Sequence, residues 1–152
     1  MQSGIRSLEY DRAASVLTPI LHDLPGKIVA IDGYPGVGKT SLGRFLAWRF
    51  NVSLIETDLF LIQRKGRLVH HGDEIARIIS RRMAIPRPVI VEGCAVLRLL
   101  AELNWSCDFL IYLTSQEAPL VHGDLAADLS EYDAKFSPRA KAGLELAIDE
   151  VS

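Results

Sequence analysis

Cysteine is scarce in this 152-residue chain: it has 2, Cys94 and Cys107. Two thiols so placed make no disulfide framework, which excludes a stapled secreted scaffold and fits a reducing cytoplasm. Long apolar runs are missing as well. None approaches the ~20 residues of a membrane span, and the first residues lack the basic, apolar, small-residue order of a secretory leader. No membrane partner is expected, and the expected compartment is cytoplasmic. Charge of one sign is also lacking, with 17 Lys+Arg against 19 Asp+Glu and a formal net charge of -2. Without a basic stripe there is no electrostatic ground for nucleic acid as partner. Internal repeats and low-complexity segments are absent. What remains, 49% hydrophobic and 24% charged residues, is the composition of an ordinary globular protein. At this length one domain, residues 1–152, buries a sizeable core.

Against that plain background one segment stands out. Gly33, Tyr34, Pro35, Gly36, Val37, Gly38, Lys39 and Thr40 spell a complete G-x-x-x-x-G-K-[ST] phosphate-binding (Walker A) loop, continued by Ser41. The glycines permit a tight backbone, partly at positive φ, that turns N–H groups towards phosphate oxygens. Lys39 reaches the β and γ phosphates, and the Thr40 hydroxyl ligates Mg²⁺. The context fits. Lys27 to Asp32 is a β-branched apolar run entering the loop, and Ser41 to Phe50 leaves it with helical spacing. Strand, loop and helix together predict that the chain binds a nucleoside triphosphate.

The rest of the chain alternates in the same way. Ile5 to His22 has helical spacing and stops at Leu24-Pro25-Gly26, giving an N-terminal helix (1–24) before a core at 27–152. Asn51 to Glu56 is a short strand ending at Thr57-Asp58, followed by a basic loop with Arg64, Lys65 and Arg67. Asp73 is expected to cap a helix from Glu74 to Met83. Val89 to Glu92 and Phe109 to Leu113 are apolar strands of the kind buried on both faces, with a helix from Ala95 to Leu103 between them. Glu117 to Tyr132 reads as helix, interrupted near His122-Gly123. Residues 144–149 suit a fifth strand better than a helix. The pattern predicts an α/β P-loop NTPase fold, a five-stranded parallel sheet with helices on both faces in three layers.

Ligands of open parallel sheets bind beyond the carboxyl ends of the strands. That rule selects Asp58 and Glu92, with Asp32 holding loop geometry by hydrogen bonds. Ile31-Asp32-Gly33 running into Gly38-Lys39-Thr40-Ser41-Leu42 resembles the opening of the uridine kinase and phosphoribulokinase group of P-loop kinases. Thr57-Asp58-Leu59-Phe60 is similar to that group's acidic motif, and Val89 to Gly93 to its glutamate-glycine motif. Tyr132, Pro138, Ala142 and the run to Ile148 resemble its approach to the last strand. The resemblance implies a Mg-ATP-dependent transferase that moves the γ-phosphoryl to a hydroxyl of a nucleoside, sugar or similar metabolite.

In that reading Lys39 is catalytic, Asp58 is the base and touches the acceptor, and Glu92 serves Mg²⁺ or the acceptor. Arg64 is an acceptor contact. No lysine or arginine lies between Thr114 and Ala134, where the resemblance implies an arginine-bearing lid. The positive charge is then expected from Arg139, with Arg98 second, or from a partner chain in a homodimer. A nucleotide-binding regulatory protein with little phosphotransfer is the alternative, and ATP against GTP stays open.

Overall fold

The computed structural model describes residues 4–62 and 67–148, the side chains of 4–7 excepted. The chain begins with helix α1 (Gly4–Ile20), and Asp23 and Leu24, both at positive φ, turn it into strand β1 (Ile28–Asp32). There follow α2 (Lys39–Phe50), β2 (Ser53–Glu56), α3 (Gly72–Ala84), β3 (Val89–Glu92) and α4 (Val96–Glu102). Then come β4 (Phe109–Thr114), α5 (Gly123–Phe136), a short α6 (Pro138–Lys141) and β5 (Leu144–Ala147). The five strands form one sheet in the order β2-β3-β1-β4-β5, every pairing parallel. Residues 144–147 are thus strand, as their alternation suggested, while Asp149 lies outside the described residues.

Alternation along the strands divides the core into two layers. Val29, Ile31, Ile90, Ile111 and Leu113 pack on the face covered by α1 and α2, with Leu17, Leu42 and Leu46. Ile28, Ala30, Val89, Val91 and Leu110 pack on the other face against Ile75, Ile79, Val96 and Leu100 of α3 and α4. A third cluster, Cys94, Ala95, Leu129 and Tyr132, joins α5 to the sheet's carboxyl edge.

Two expectations need correction. Helix α3 starts at Gly72, so Asp73 is not its cap but lies within the first turn, where its charge still suits the helix dipole. Residues 117–122 are not helical: α5 begins only at Gly123. Pro119 lacks the N–H a helix interior needs, and Gly123 adopts φ 68.

Candidate active site at the carboxyl edge of the sheet

The loop from Gly33 to Gly38 leaves the end of β1 and delivers the chain into α2. A Cβ at Gly33 would stand 2.7 Å from the Leu113 carbonyl oxygen, so the loop passes β4 too closely for any side chain. Gly38 precedes α2 at φ 103, a conformation that costs other residues strain. The first turn of α2 thereby points its free N–H groups at the loop, an arrangement suited to phosphate. Lys39 is buried within it. Its Nζ donates to the Tyr34 carbonyl oxygen at 2.8 Å and lies 3.5 Å from Cys94 Sγ.

Thr40 Oγ1 donates to Glu92 Oε2 at 2.8 Å, which joins the first turn of α2 to the end of β3. Burial raises the Glu92 carboxyl above its ordinary pKa, opposed by the Thr40 bond and the Lys39 charge. A buried carboxylate beside a hydroxyl is a donor set that a hard, oxygen-seeking cation fits. No cluster of three or more His, Cys, Asp or Glu suited to a metal occurs among the described residues.

Asp58 sits in a single 3₁₀ turn (Thr57–Phe60) just past β2 and is exposed. Burial raises the Glu92 carboxyl and the Cys94 thiol and the Asp58 charge adds to both shifts, whereas burial lowers His70 and Asp58 opposes it. Thr57 beside it is fully buried against Gly93, so the chain's two acidic motifs are in contact. Arg44 of α2 closes the same edge with a bidentate grip on Glu56.

Asp32, Asp58, Glu92, Lys39 and Thr40 thus gather around one loop. Arg64 and Lys65 lie outside the described residues. Arg98 is engaged elsewhere, bidentate to Asp128 of α5 at 2.9 Å for both bonds. Arg139 pairs with Glu145 and lies 5.7 Å over the Tyr112 ring, on the wall of a cleft of about 530 Å³. Tyr34, Val37, Thr114, Pro119 and Asp133 line that cleft with it. Arg139 therefore borders the phosphate loop on the β4 side, opposite Asp58 and Glu92.

Helix α5 holds residues to which sequence reasoning gave no role at the site. Tyr132 donates its hydroxyl to Asp32 Oδ2 at 2.5 Å while accepting from the Leu97 N–H. Asp32 Oδ1 accepts from the Gly33 N–H at 2.8 Å. Desolvation lifts the Asp32 carboxyl from 3.8 to about 6, the two hydrogen bonds and Lys39 working against it. One residue on, Asp133 accepts from the Tyr34 hydroxyl at 2.6 Å. The available signal was an acid, Asp128, set among the apolar positions Leu125, Leu129 and Tyr132 of one helix.

No family model matches the chain. A solved structure described as that of a possible uridine kinase from Bacillus stearothermophilus superposes with a TM-score of 0.66. The likeness covers 91% of this chain and 97% of that one at 14% identity. The fold is that of the P-loop small-molecule kinases. A structure from Silicibacter sp. TM1040, provisionally described as a fructose transport system kinase, adds a TM-score of 0.54 at 20% identity. It covers 88% of this chain and 98% of its own. Among curated proteins the chain is similar to the shikimate kinase of Thermobifida fusca, 30% identical over 97 residues. That match spans 57% of this chain and 56% of the relative, little more than half its length. Within the P-loop kinase fold, strand order β2-β3-β1 is what sets Asp58 and Glu92 on one side of the loop. No helix among the described residues is long and apolar enough to cross a membrane.

Proposed function

We propose that this chain transfers the γ-phosphoryl of Mg-ATP to a hydroxyl of a small polar metabolite. The observation that carries the reading is the Thr40–Glu92 hydrogen bond at the mouth of a loop holding Lys39, with Asp58 on the adjoining strand end. Phosphoryl transfer demands positioning and charge more than covalent chemistry. The loop N–H groups and Lys39 neutralise phosphate oxygens. Asp58, exposed at the edge, orients and deprotonates the acceptor hydroxyl. Thr40 and Glu92 would hold Mg²⁺, which when bound supplies charge to the phosphates. The similarity to a shikimate kinase supports a polyol among the acceptors to test. Residues 1–152 would act as one domain in this reading, in a reducing compartment.

An ATP-consumption screen over nucleosides, sugars, cyclic polyols and pantothenate-like alcohols tests the proposal, with Lys39→Ala as the blank. Consumption that depends on one alcohol and vanishes in the blank supports it; no acceptor-dependent turnover overturns it. The second reading, a nucleotide-binding regulatory protein, is favoured by the pairing of Arg98 and Arg139 with acids. Arg139→Ala separates the two. A hundredfold loss of transfer at unchanged ATP affinity, roughly 2.7 kcal/mol, belongs to the kinase.

A further inference from the structure

The segment after Asp58 doubles back on itself. Ile62 donates its N–H to the Val69 carbonyl oxygen, His71 donates to that of Phe60, and Leu61 and His70 form an antiparallel bridge between these bonds. Residues 60–62 and 68–71 are therefore the two limbs of a hairpin with Asp58 at its foot. Such a two-stranded ribbon is marginal in water unless something else holds it. Here one carboxylate helps to do so. Asp128 of α5, its side chain 4% exposed, accepts from the Leu68 N–H at 3.0 Å and takes Arg98 of α4 in a bidentate grip. Arg67 Nε stands 3.9 Å away on the outer side. Arg98 in turn lies over the Tyr132 ring, whose hydroxyl binds Asp32 one turn along α5.

We propose that Asp128 is a positioning residue: it pins the return limb of the hairpin to α4 and α5 and so fixes where Asp58 meets an acceptor. Asp58 as base rests on the kinase reading; the pinning itself does not. Arg98 belongs to this latch and not to the phosphate site. The geometry is specific. A carboxylate offers enough lone pairs for two guanidinium bonds and one backbone donor, and all three are in place. Apolar packing assists it, with Phe60 against the cluster of Ile75, Ile79 and Leu100 and Leu68 against that of Leu129 and Tyr132, and the Asp128 bond adds the direction that apolar contact lacks.

Amide exchange at Leu68, read by NMR on the labelled full chain, tests the latch without any turnover. Asp128→Ala should speed exchange at Leu68 and His71 at least tenfold, while Asp128→Glu recovers most of the protection. A buried arginine left unpaired threatens the fold, so the double variant Arg98→Met/Asp128→Ala removes both charges and should show the same loosening. The affinity for a fluorescent ATP analogue should stay within twofold in the double variant, since the loop keeps its Tyr132 and Asp133 anchors. Unchanged exchange at Leu68 in both the single and the double variant overturns the proposal. With an acceptor from the screen, Asp128→Asn should raise the acceptor KM about tenfold and leave the MgATP KM alone. Equal loss of both would make Asp128 merely structural, and that too overturns it.

Discussion

Gly93 is where the two acidic motifs touch, and replacing it tests their arrangement directly. A Cβ on Gly93 would lie 1.8 Å from Thr57 Oγ1 and 3.0 Å from Thr57 Cβ. Thr57 is 0% exposed and has nowhere to retreat. Gly93→Ala must therefore push apart the ends of β2 and β3, at the upper end of the usual overpacking cost, about 3 kcal/mol. For a chain of this size that lowers Tm by roughly 10 °C. Thr57→Ala alone should be close to neutral. It forfeits a methyl worth about 0.8 kcal/mol, but it also removes a buried hydroxyl that has no hydrogen-bond partner, a group whose desolvation costs about 1–3 kcal/mol. The double variant keeps only the 3.0 Å approach, so most of the Gly93→Ala penalty should vanish, with a coupling of about 2 kcal/mol by urea unfolding. Gly93→Ala as stable as the wild type, or additive with Thr57→Ala, would refute this contact and with it the placement of Asp58 beside Glu92.

Lys39→Ala should abolish tight binding of a fluorescent ATP analogue while thermal unfolding stays cooperative; unchanged affinity would mean that the loop is not the nucleotide site. Asp58→Asn should leave ATP affinity within a few-fold and cut acceptor phosphorylation by ~10²–10⁴, the usual worth of a general base. Normal turnover in that variant would hand the role to Glu92. Asp32 makes a pH prediction. Its folded pKa, about 6, lies above the unfolded 3.8, so between those values the folded chain keeps a proton that the unfolded chain has released. Stability should therefore fall as pH rises through that window, by about 3 kcal/mol at 1.36 per pH unit. Asp32→Asn should flatten this slope in urea titrations; an unaltered pH profile would show that Asp32 is not the group responsible.

Much of the fold was legible because its signals are local. The phosphate loop occupies eight consecutive residues, and the apolar runs at Ile28, Val89 and Phe109 announce strands buried on both faces. The acids at strand ends followed from topology, since a parallel sheet leaves its ligands at one edge. The contacts around α5 were hidden for the opposite reason. Tyr132 to Asp32 spans 100 residues and Arg98 to Asp128 spans 30, and no local pattern encodes either. Residues 117–122 misled because Glu117, Ala118 and Leu120 have helical composition, whereas Pro119 and the positive φ of Gly123 delay the helix.

Arg98 and Arg139, the two arginines expected from the sequence to supply charge, differ in how firmly they are held, and that difference bears on which could serve phosphoryl transfer. Arg98 and Asp128 have side chains 12% and 4% exposed. Drawing Arg98 away would strip a buried carboxylate of its bidentate partner and leave it the Leu68 N–H and the more distant, exposed Arg67, at a cost approaching the about 3–5 kcal/mol of a broken buried pair. Arg139 and Glu145 are 61% and 40% exposed, and an ion pair so open to water is worth about 0–1 kcal/mol. A triphosphate in the loop presents more negative charge than one carboxylate, so Arg139 could exchange partners at little expense while Arg98 could not. An arginine on the transferring group is worth on the order of 10³ in rate, roughly 4 kcal/mol, well above the cost of releasing Arg139 and near the cost of releasing Arg98. The energetics thus favour Arg139 as the source of the charge that the Thr114–Ala134 segment lacks, and leave Arg98 to the latch.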